Sequence, residues 1–194
     1  MQEQGNIHFC GVGGQGILLA SELTAYALLA AGFDAKKSEV HGMAQRGGSV
    51  EAHLRFGRTK VYSPLIEPGT VDIMLAFETL EAVRYLPLLK KESTVIVNTQ
   101  QIPPPAVATG KMTYPDRCLD ELTSRGISVV PVDAFAIARA VGNLKAVNVA
   151  LVGVLSRLLP VEEATWIEVI KERLPAKIVE VNLAAFAAGR KAGE

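Results

Sequence analysis

The sequence predicts an α/β fold: a single Rossmann-like domain over residues 1–194, with a mostly parallel sheet flanked by helices and a helical C-terminal region. Three observations carry that expectation. Apolar runs of strand length alternate with segments of helical periodicity. The first such run passes directly into a glycine-rich loop and then into a helical stretch. Beyond Asp133 the apolar spacing is helical to the end.

Asn6 to Cys10 is a short strand running into Gly11. Ile17 to Ala31 has helical spacing and stops at Gly32, since glycine commonly sits just past a helix end. Ala35 to Val40 is a second strand and Ser49 to Phe56 a third. Gly57 to Lys60 reads as a turn into a short return strand, Val61 to Ser63. Val71 to Phe77 is apolar but for Asp72, as a buried strand is. Thr79 to Leu89 fits a helix, and Thr94 to Asn98 another core strand. Pro103, Pro104 and Pro105 predict a stiff extended loop without helix. Asp116 to Arg125 reads as a helix closed by Gly126, and Ile127 to Val132 as a further strand. Leu144 to Leu159 is apolar on almost all sides, so that helix is packed on several faces. No repeat, low-complexity tract or linker divides the chain.

Composition narrows the function classes. Twenty basic and twenty acidic side chains cancel, which argues against a phosphate-tracking nucleic-acid binder or an electrostatic membrane binder. Cys10 and Cys118 are too few for a disulfide framework or an iron–sulfur cluster, and no CxxC occurs. Met1 to Asn6 lacks a basic region followed by an apolar run. Ile17 to Phe33 and Ala146 to Ser156 are too polar or too short for membrane spans. A cytoplasmic protein is expected.

Gly11-Val12-Gly13-Gly14-Gln15-Gly16 has the GxGxxG spacing, with a strand before it and a helix after it. Glycines permit a tight turn and close approach of a ligand to backbone, and free N–H groups at a helix start attract anions. The competing reading is structural: the glycines let the helix pack close to the sheet. Glu39 stands where a dinucleotide fold places its ribose-binding acid, so the spacing admits NAD. Lys36 and Lys37 crowd that strand, however, and no second catalytic domain follows. Glu39 also fits a solvated loop acid.

A second loop, Glu39 to Val50, holds His41, Gln45 and Arg46 among glycines. Polar side chains after a parallel strand belong at the carboxyl edge of the sheet, where open α/β folds bind ligands. Arg46 can clamp a phosphate or carboxylate through its planar fork, and His41 can donate, accept or shuttle a proton. Loop scaffolding and an ordinary ion pair are the alternatives.

GVGGQG followed by EVHGMAQRGGSV resembles the gamma-type domain of the pyruvate/2-oxoacid:ferredoxin oxidoreductases. VHGMAQRGGSV is most similar to the beta subunit of the indolepyruvate enzymes in that family. The likeness continues through Ala76 to Ala82, Val95 to Asn98, Ile102 to Pro104, Tyr114-Pro115, Asn148 and Leu151 to Gly153, spanning most of the chain. Thr79 departs from it, standing where relatives often carry proline.

The resemblance implies an enzyme that oxidatively decarboxylates a 2-oxoacid with thiamine diphosphate, passes electrons through iron–sulfur clusters to ferredoxin, and releases an acyl-CoA. It places thiamine diphosphate, magnesium and clusters on companion subunits, with CoA a possible co-substrate contacted here. The chain agrees in having no GDG…NN motif and no cluster-binding cysteines. Gly11, Gly13, Gly14, Gln15, Gly16, His41, Gln45 and Arg46 are the positions the resemblance carries to a site-facing edge, with no catalytic step assigned to any. Rival readings are a stand-alone NAD(P)-binding reductase and a purely structural assembly subunit.

Glu78, ending a core strand ahead of a helix, joins the cofactor-binding candidates, against the alternative that it favours the positive helix end. Capping is the simpler role for Asn98 and Asp133, a link to loop backbone for Asn148, and packing for Cys10 and Trp166. His8 and His53 are expected packed or exposed. No two histidines have ligand spacing on one element, so no metal site is expected.

Overall fold

The computed structural model describes residues 3–41 and 48–193, with the side chain of His41 left out. Six strands form one sheet in the order β2-β3-β1-β4-β5-β6. These are β1 Gln4–Val12, β2 Asp34–His41, β3 Ser49–Gly57, β4 Val71–Ala76, β5 Leu89–Asn98 and β6 Ser128–Val132. β1, β4, β5 and β6 are mutually parallel, whereas β3 lies antiparallel between β1 and β2. Five strands therefore point the same way, and the start of β3 meets their carboxyl ends.

Alternation along the strands divides the core in two. Ile7, Phe9, Leu54, Phe56, Ile73, Leu75 and Ile96 face one side. There they pack against α1 (Ile17–Ala30), α5 (Ala134–Ala140), α6 (Val147–Ser156), α7 (Glu163–Arg173) and α8 (Ala176–Ala192). Cys10, Met74, Ala76, Val95 and Val97 face the other side, toward α2 (Thr79–Arg84) and α4 (Cys118–Ser124). Almost all of α6 is buried, as its apolar circumference requires. It crosses α8 so closely that a Cβ on Gly153 would lie 2.2 Å from the Phe186 carbonyl oxygen, and one on Gly189 2.0 Å from that of Ala150. Trp166 is fully buried against Phe186, with ring centroids 5.9 Å apart. Among the described residues no helix is long and apolar enough to cross a membrane.

The structure departs from the sequence expectations in three places. Val61 to Ser63 forms no return strand. Arg55 on β3 instead donates to the carbonyls of Ser63 and Leu65, and the Ile66 N–H donates to His53 Nδ1. Side chains thus hold that segment over the sheet where ladder bonds were expected. The helix from Thr79 ends at Arg84, a 3₁₀ turn follows over Leu86–Leu88, and Leu89 already begins β5. Pro105 opens a four-residue helix, α3 (Pro105–Ala108), because the first helical position needs no N–H donor. His8 and His53 take the packed alternative: both are buried and face each other across the β1–β3 ladder.

Candidate functional site

The glycine loop and both described flanks of the second segment lie at the carboxyl rim of the sheet. Val12, the last residue of β1, pairs with Ser49, the first of β3, and the Gly13 N–H donates to the Gly48 carbonyl at 2.9 Å. His41 ends β2 opposite Val50, so both described flanks of the second segment stand beside the glycine loop. Gln45 and Arg46, and the side chain of His41, lie outside the described residues.

Within the glycine loop, two of the fingerprint glycines make room for the protein itself. A Cβ on Gly11 would lie 2.7 Å from Gln15 Oε1 and 2.7 Å from Phe77 Cβ. A Cβ on Gly16 would lie 2.5 Å from Asn148 Nδ2. Gly14 differs: its φ of 101° demands glycine, and nothing would meet its Cβ within 4 Å. The Gln15 side chain is folded back, with Oε1 accepting from the Val12 N–H at 2.7 Å and Nε2 donating to the Phe77 carbonyl at 2.8 Å. Asn98 donates to the same carbonyl at 3.1 Å and accepts from the Ala134 N–H at the start of α5. Asn148 reaches the Gly16 carbonyl at 3.5 Å, and Asp133 caps α5 through the Ala136 N–H at 2.8 Å.

Two cavities flank this loop. One of 390 Å³ is lined by Gly14, Gln15 and Gly16 on one side and by Phe135, Leu144 and Lys145 on the other. The helix α1 begins in its wall behind Gly16, without a side-chain cap. Its free N–H groups and Lys145 make that wall receptive to an anion. The second cavity, 220 Å³, lies between Val12, Ser49, Glu78, Glu81 and the proline loop.

Glu78 is spent on scaffold. Only 1% exposed, it caps α2 by accepting from the Glu81 N–H at 2.9 Å. It also accepts from the Ile102 N–H at 3.1 Å and from the Tyr114 hydroxyl. Burial and that carboxylate push the Tyr114 hydroxyl well above the usual tyrosine range. α2 starts at Thr79 directly after this cap, so the threonine found there costs the helix nothing. Glu81, unmarked by the sequence reading, is also buried. It accepts from Ser49 Oγ at 2.5 Å and from Arg84 Nε at 3.0 Å, while Tyr85 bonds the same serine at 2.9 Å. The strand that leaves the second segment is thereby pegged to α2.

His8, Glu51 and His53 form a cluster on this face, with donor atoms all within 4.8 Å of one another. Sequence spacing hid it, because antiparallel register rather than a shared element brings the histidines together. Its hydrogen bonding does not suit a cation. His53 Nδ1 accepts from the Ile66 N–H at 3.1 Å, so the ring hydrogen sits on Nε2, which faces Glu51 at 3.6 Å. His8 Nε2 lies 2.9 Å from the same carboxylate oxygen. Glu51 therefore bridges two neutral imidazoles. The imidazoles of His53 and His8, the second being the closer, hold its carboxyl down to about 2. Burial holds His8 below the usual histidine range, and its Nδ1 has no partner among the described residues. Cys10, one residue ahead of the loop, is fully buried, and burial followed by the nearby Glu81, Glu51 and Glu78 pushes its thiol far up. Cys118 lies on α4, so the two cysteines sit on separate elements.

The topology also bears on Glu39. In a dinucleotide fold the acid-bearing second strand adjoins the first. Here β3 intervenes, and Glu39 pairs with Ala52 on the far side of it, ion-paired to Lys37.

Comparison with known proteins places the chain. The family model described as pyruvate ferredoxin/flavodoxin oxidoreductase matches residues 6–192. The indolepyruvate oxidoreductase subunit IorB of Thermococcus kodakarensis is 42% identical over 97% of this chain and 96% of its own length. That of Archaeoglobus fulgidus is 44% identical over 95% and 92%. Among solved structures, the gamma subunit of a keto/oxoacid ferredoxin oxidoreductase from Geobacter sulfurreducens superposes with a TM-score of 0.73 at 21% identity, covering 97% of this chain and 98% of the other. The 2-oxoglutarate:ferredoxin oxidoreductase of Magnetococcus marinus, with 2-oxoglutarate, coenzyme A and succinyl-CoA bound, gives 0.77 at 19% identity, over all of this chain and 31% of that longer one. The strand order, the two rim loops and these matches lead to one conclusion: the chain belongs to the pyruvate ferredoxin/flavodoxin oxidoreductase family.

Proposed function

We propose that the chain is the small subunit of a 2-oxoacid:ferredoxin oxidoreductase acting on indolepyruvate or a related aryl pyruvate, with its redox cofactors held by companion subunits. The observation that carries this reading is the full-length likeness to indolepyruvate oxidoreductase subunits at 42% and 44% identity. The site supports it. The glycine loop and the described flanks of the second segment share one rim, an open cavity with Lys145 in its lining adjoins the loop, and Cys10 and Cys118 cannot jointly hold a cluster. Thiamine diphosphate, magnesium and iron–sulfur clusters then belong to the companions, and ferredoxin meets this subunit only through them.

Gly13, Gly14 and Gly16 lie on the edge that would face the companion's active site and the CoA co-substrate, and the family likeness adds His41, Gln45 and Arg46, whose side chains lie outside the described residues. Gly11 and Gln15 support that edge from within. Glu78 contributes by holding α2 and the proline loop at the rim. A stand-alone NAD(P) reductase is disfavoured, because β3 separates Glu39 from the glycine loop and the first and last fingerprint glycines are filled by Gln15, Phe77 and Asn148.

The test is to capture the chain from its native cell, identify what it retains, and assay the complex with indolepyruvate, CoA and ferredoxin. A thiamine- and cluster-bearing partner and CoA-dependent ferredoxin reduction are expected. NADH binding at micromolar concentration with turnover by the chain alone would overturn the reading. A purely structural subunit would show itself if Arg46→Ala left turnover and both substrate affinities unchanged while assembly suffered.

A further inference from the structure

We infer that Gln15 is a positioning residue, acting on CoA through the curvature of the glycine loop without touching it; this rests on the function proposed above. Gln15 lines the 390 Å³ cavity, yet both polar ends of its side chain are turned onto main chain. Oε1 takes the Val12 N–H at 2.7 Å, and Nε2 gives to the Phe77 carbonyl at 2.8 Å, with the Gln100 oxygen at 3.5 Å as a weak second acceptor. Both strong bonds of the carboxamide therefore go to main chain, leaving one lone pair on its oxygen and one weakly engaged N–H on its nitrogen.

The carboxamide spans the arc from the end of β1 to the end of β4. It fixes where the chain turns between Val12 and the left-handed Gly16 that starts α1. Gly11 is part of the same device, since any Cβ there would strike the carboxamide oxygen and Phe77. Asn98 completes it by filling the second lone pair of the Phe77 carbonyl, so the acceptor cannot swing toward solvent. The start of α1 behind Gly16, beside the cavity, is then positioned by side chains whose strong bonds go to main chain and not to a ligand.

The test uses the complex of full-length chain and companion subunit. Gln15→Glu keeps an acceptor for the Val12 N–H but sets carboxylate oxygen against the Phe77 carbonyl. The expected result is a roughly tenfold rise in the KM for CoA, with kcat and the oxoacid KM within about twofold and assembly unchanged, as the loss of one paired buried donor implies. Gly11 lines neither of the two cavities described, yet Gly11→Ala must displace the same carboxamide, so it is expected to raise the same KM. A rise in Gln15→Glu with wild-type behaviour in Gly11→Ala would show that Gln15 touches CoA directly and overturn the inference. So would an unchanged KM in Gln15→Glu, or a fall in kcat alone.

If Gln15→Glu does not fold, the isosteric Gln15→Met carries the same kinetic test. Amide exchange of Val12 in the full chain reads the brace without turnover: protection in wild type and its loss in Gln15→Met are expected, and equal protection would refute it. An inactive wild-type complex would sink the proposed function and leave that exchange result standing.

Discussion

Replacing Glu78 by glutamine separates the scaffold role of this carboxylate from a ligand-binding one. Glu78 satisfies three donors from two oxygens: the Glu81 N–H on Oε2, and the Ile102 N–H with the Tyr114 hydroxyl on Oε1. Glutamine offers a single oxygen. One orientation sets its NH₂ against the Glu81 N–H; the other sets it against both remaining donors. The milder choice still loses a charge-assisted bond worth about 1.5–3 kcal/mol and leaves buried donors facing each other, a further cost of about 1–3 kcal/mol. A net loss of about 3 kcal/mol corresponds to a fall in Tm of roughly 6–12 °C for a chain of this size. Thermal unfolding of purified wild type and Glu78→Gln at pH 7, followed by circular dichroism, measures it. Amide exchange at Ile102 is expected to quicken in the variant. A fall below about 2 °C would refute the reasoning, because a carboxylate that removes so little from the fold is free to serve a ligand.

Gly189→Ala is expected to force α6 and α8 apart, since the new Cβ would lie 2.0 Å from the Ala150 carbonyl oxygen. A loss of about 3 kcal/mol, at the upper end for overpacking, should appear as a lower urea midpoint; an unchanged midpoint would mean the helices slide at no cost. Glu51 has its carboxyl held down to about 2 from 4.5, so its contribution is fully present above pH 4.5 and is lost as pH falls through about 2. For this half-buried group the contribution is roughly 1–2 kcal/mol after solvent screening. Between pH 5 and pH 2 wild type should therefore lose more stability than Glu51→Gln, and parallel curves would count against the bridge. His53→Ala removes the acceptor of the Ile66 N–H, so exchange at Ile66 should quicken by about tenfold or more while Val95 on β5 keeps its protection.

Several elements were legible to within a residue or two because one local rule governed each. Helix α1 shows both a glycine start and a glycine stop, and β4 is apolar apart from Asp72. Other features depend on partners remote in sequence. Nothing in Leu89 to Ser93 announces a strand, since Lys90, Lys91 and Glu92 are exposed at the amino end of β5. The position of β3 between β1 and β2 is a pairing choice, and period-two alternation is blind to it. The rim was legible in part. At Gly11 and Gly16 the glycine spacing signals close approach of some group, but it cannot say whether a ligand or Gln15 and Asn148 fill the space. Glu81 and Ser49 carried no signal, because a buried carboxylate on a short helix looks like any solvated helical acid until its partners are seen.

Cys10 turns its location into an instrument. Its sulfur is fully buried at the root of the glycine loop, where burial and then the charges of Glu81, Glu51 and Glu78 disfavour the thiolate, so alkylating reagents should ignore it in the closed fold. In a chain carrying Cys118→Ser, the rate of labelling at neutral pH becomes a clock for transient exposure of the loop's root. Slowing of that clock on adding a companion subunit or CoA would report engagement of this end of the sheet without any catalytic assay.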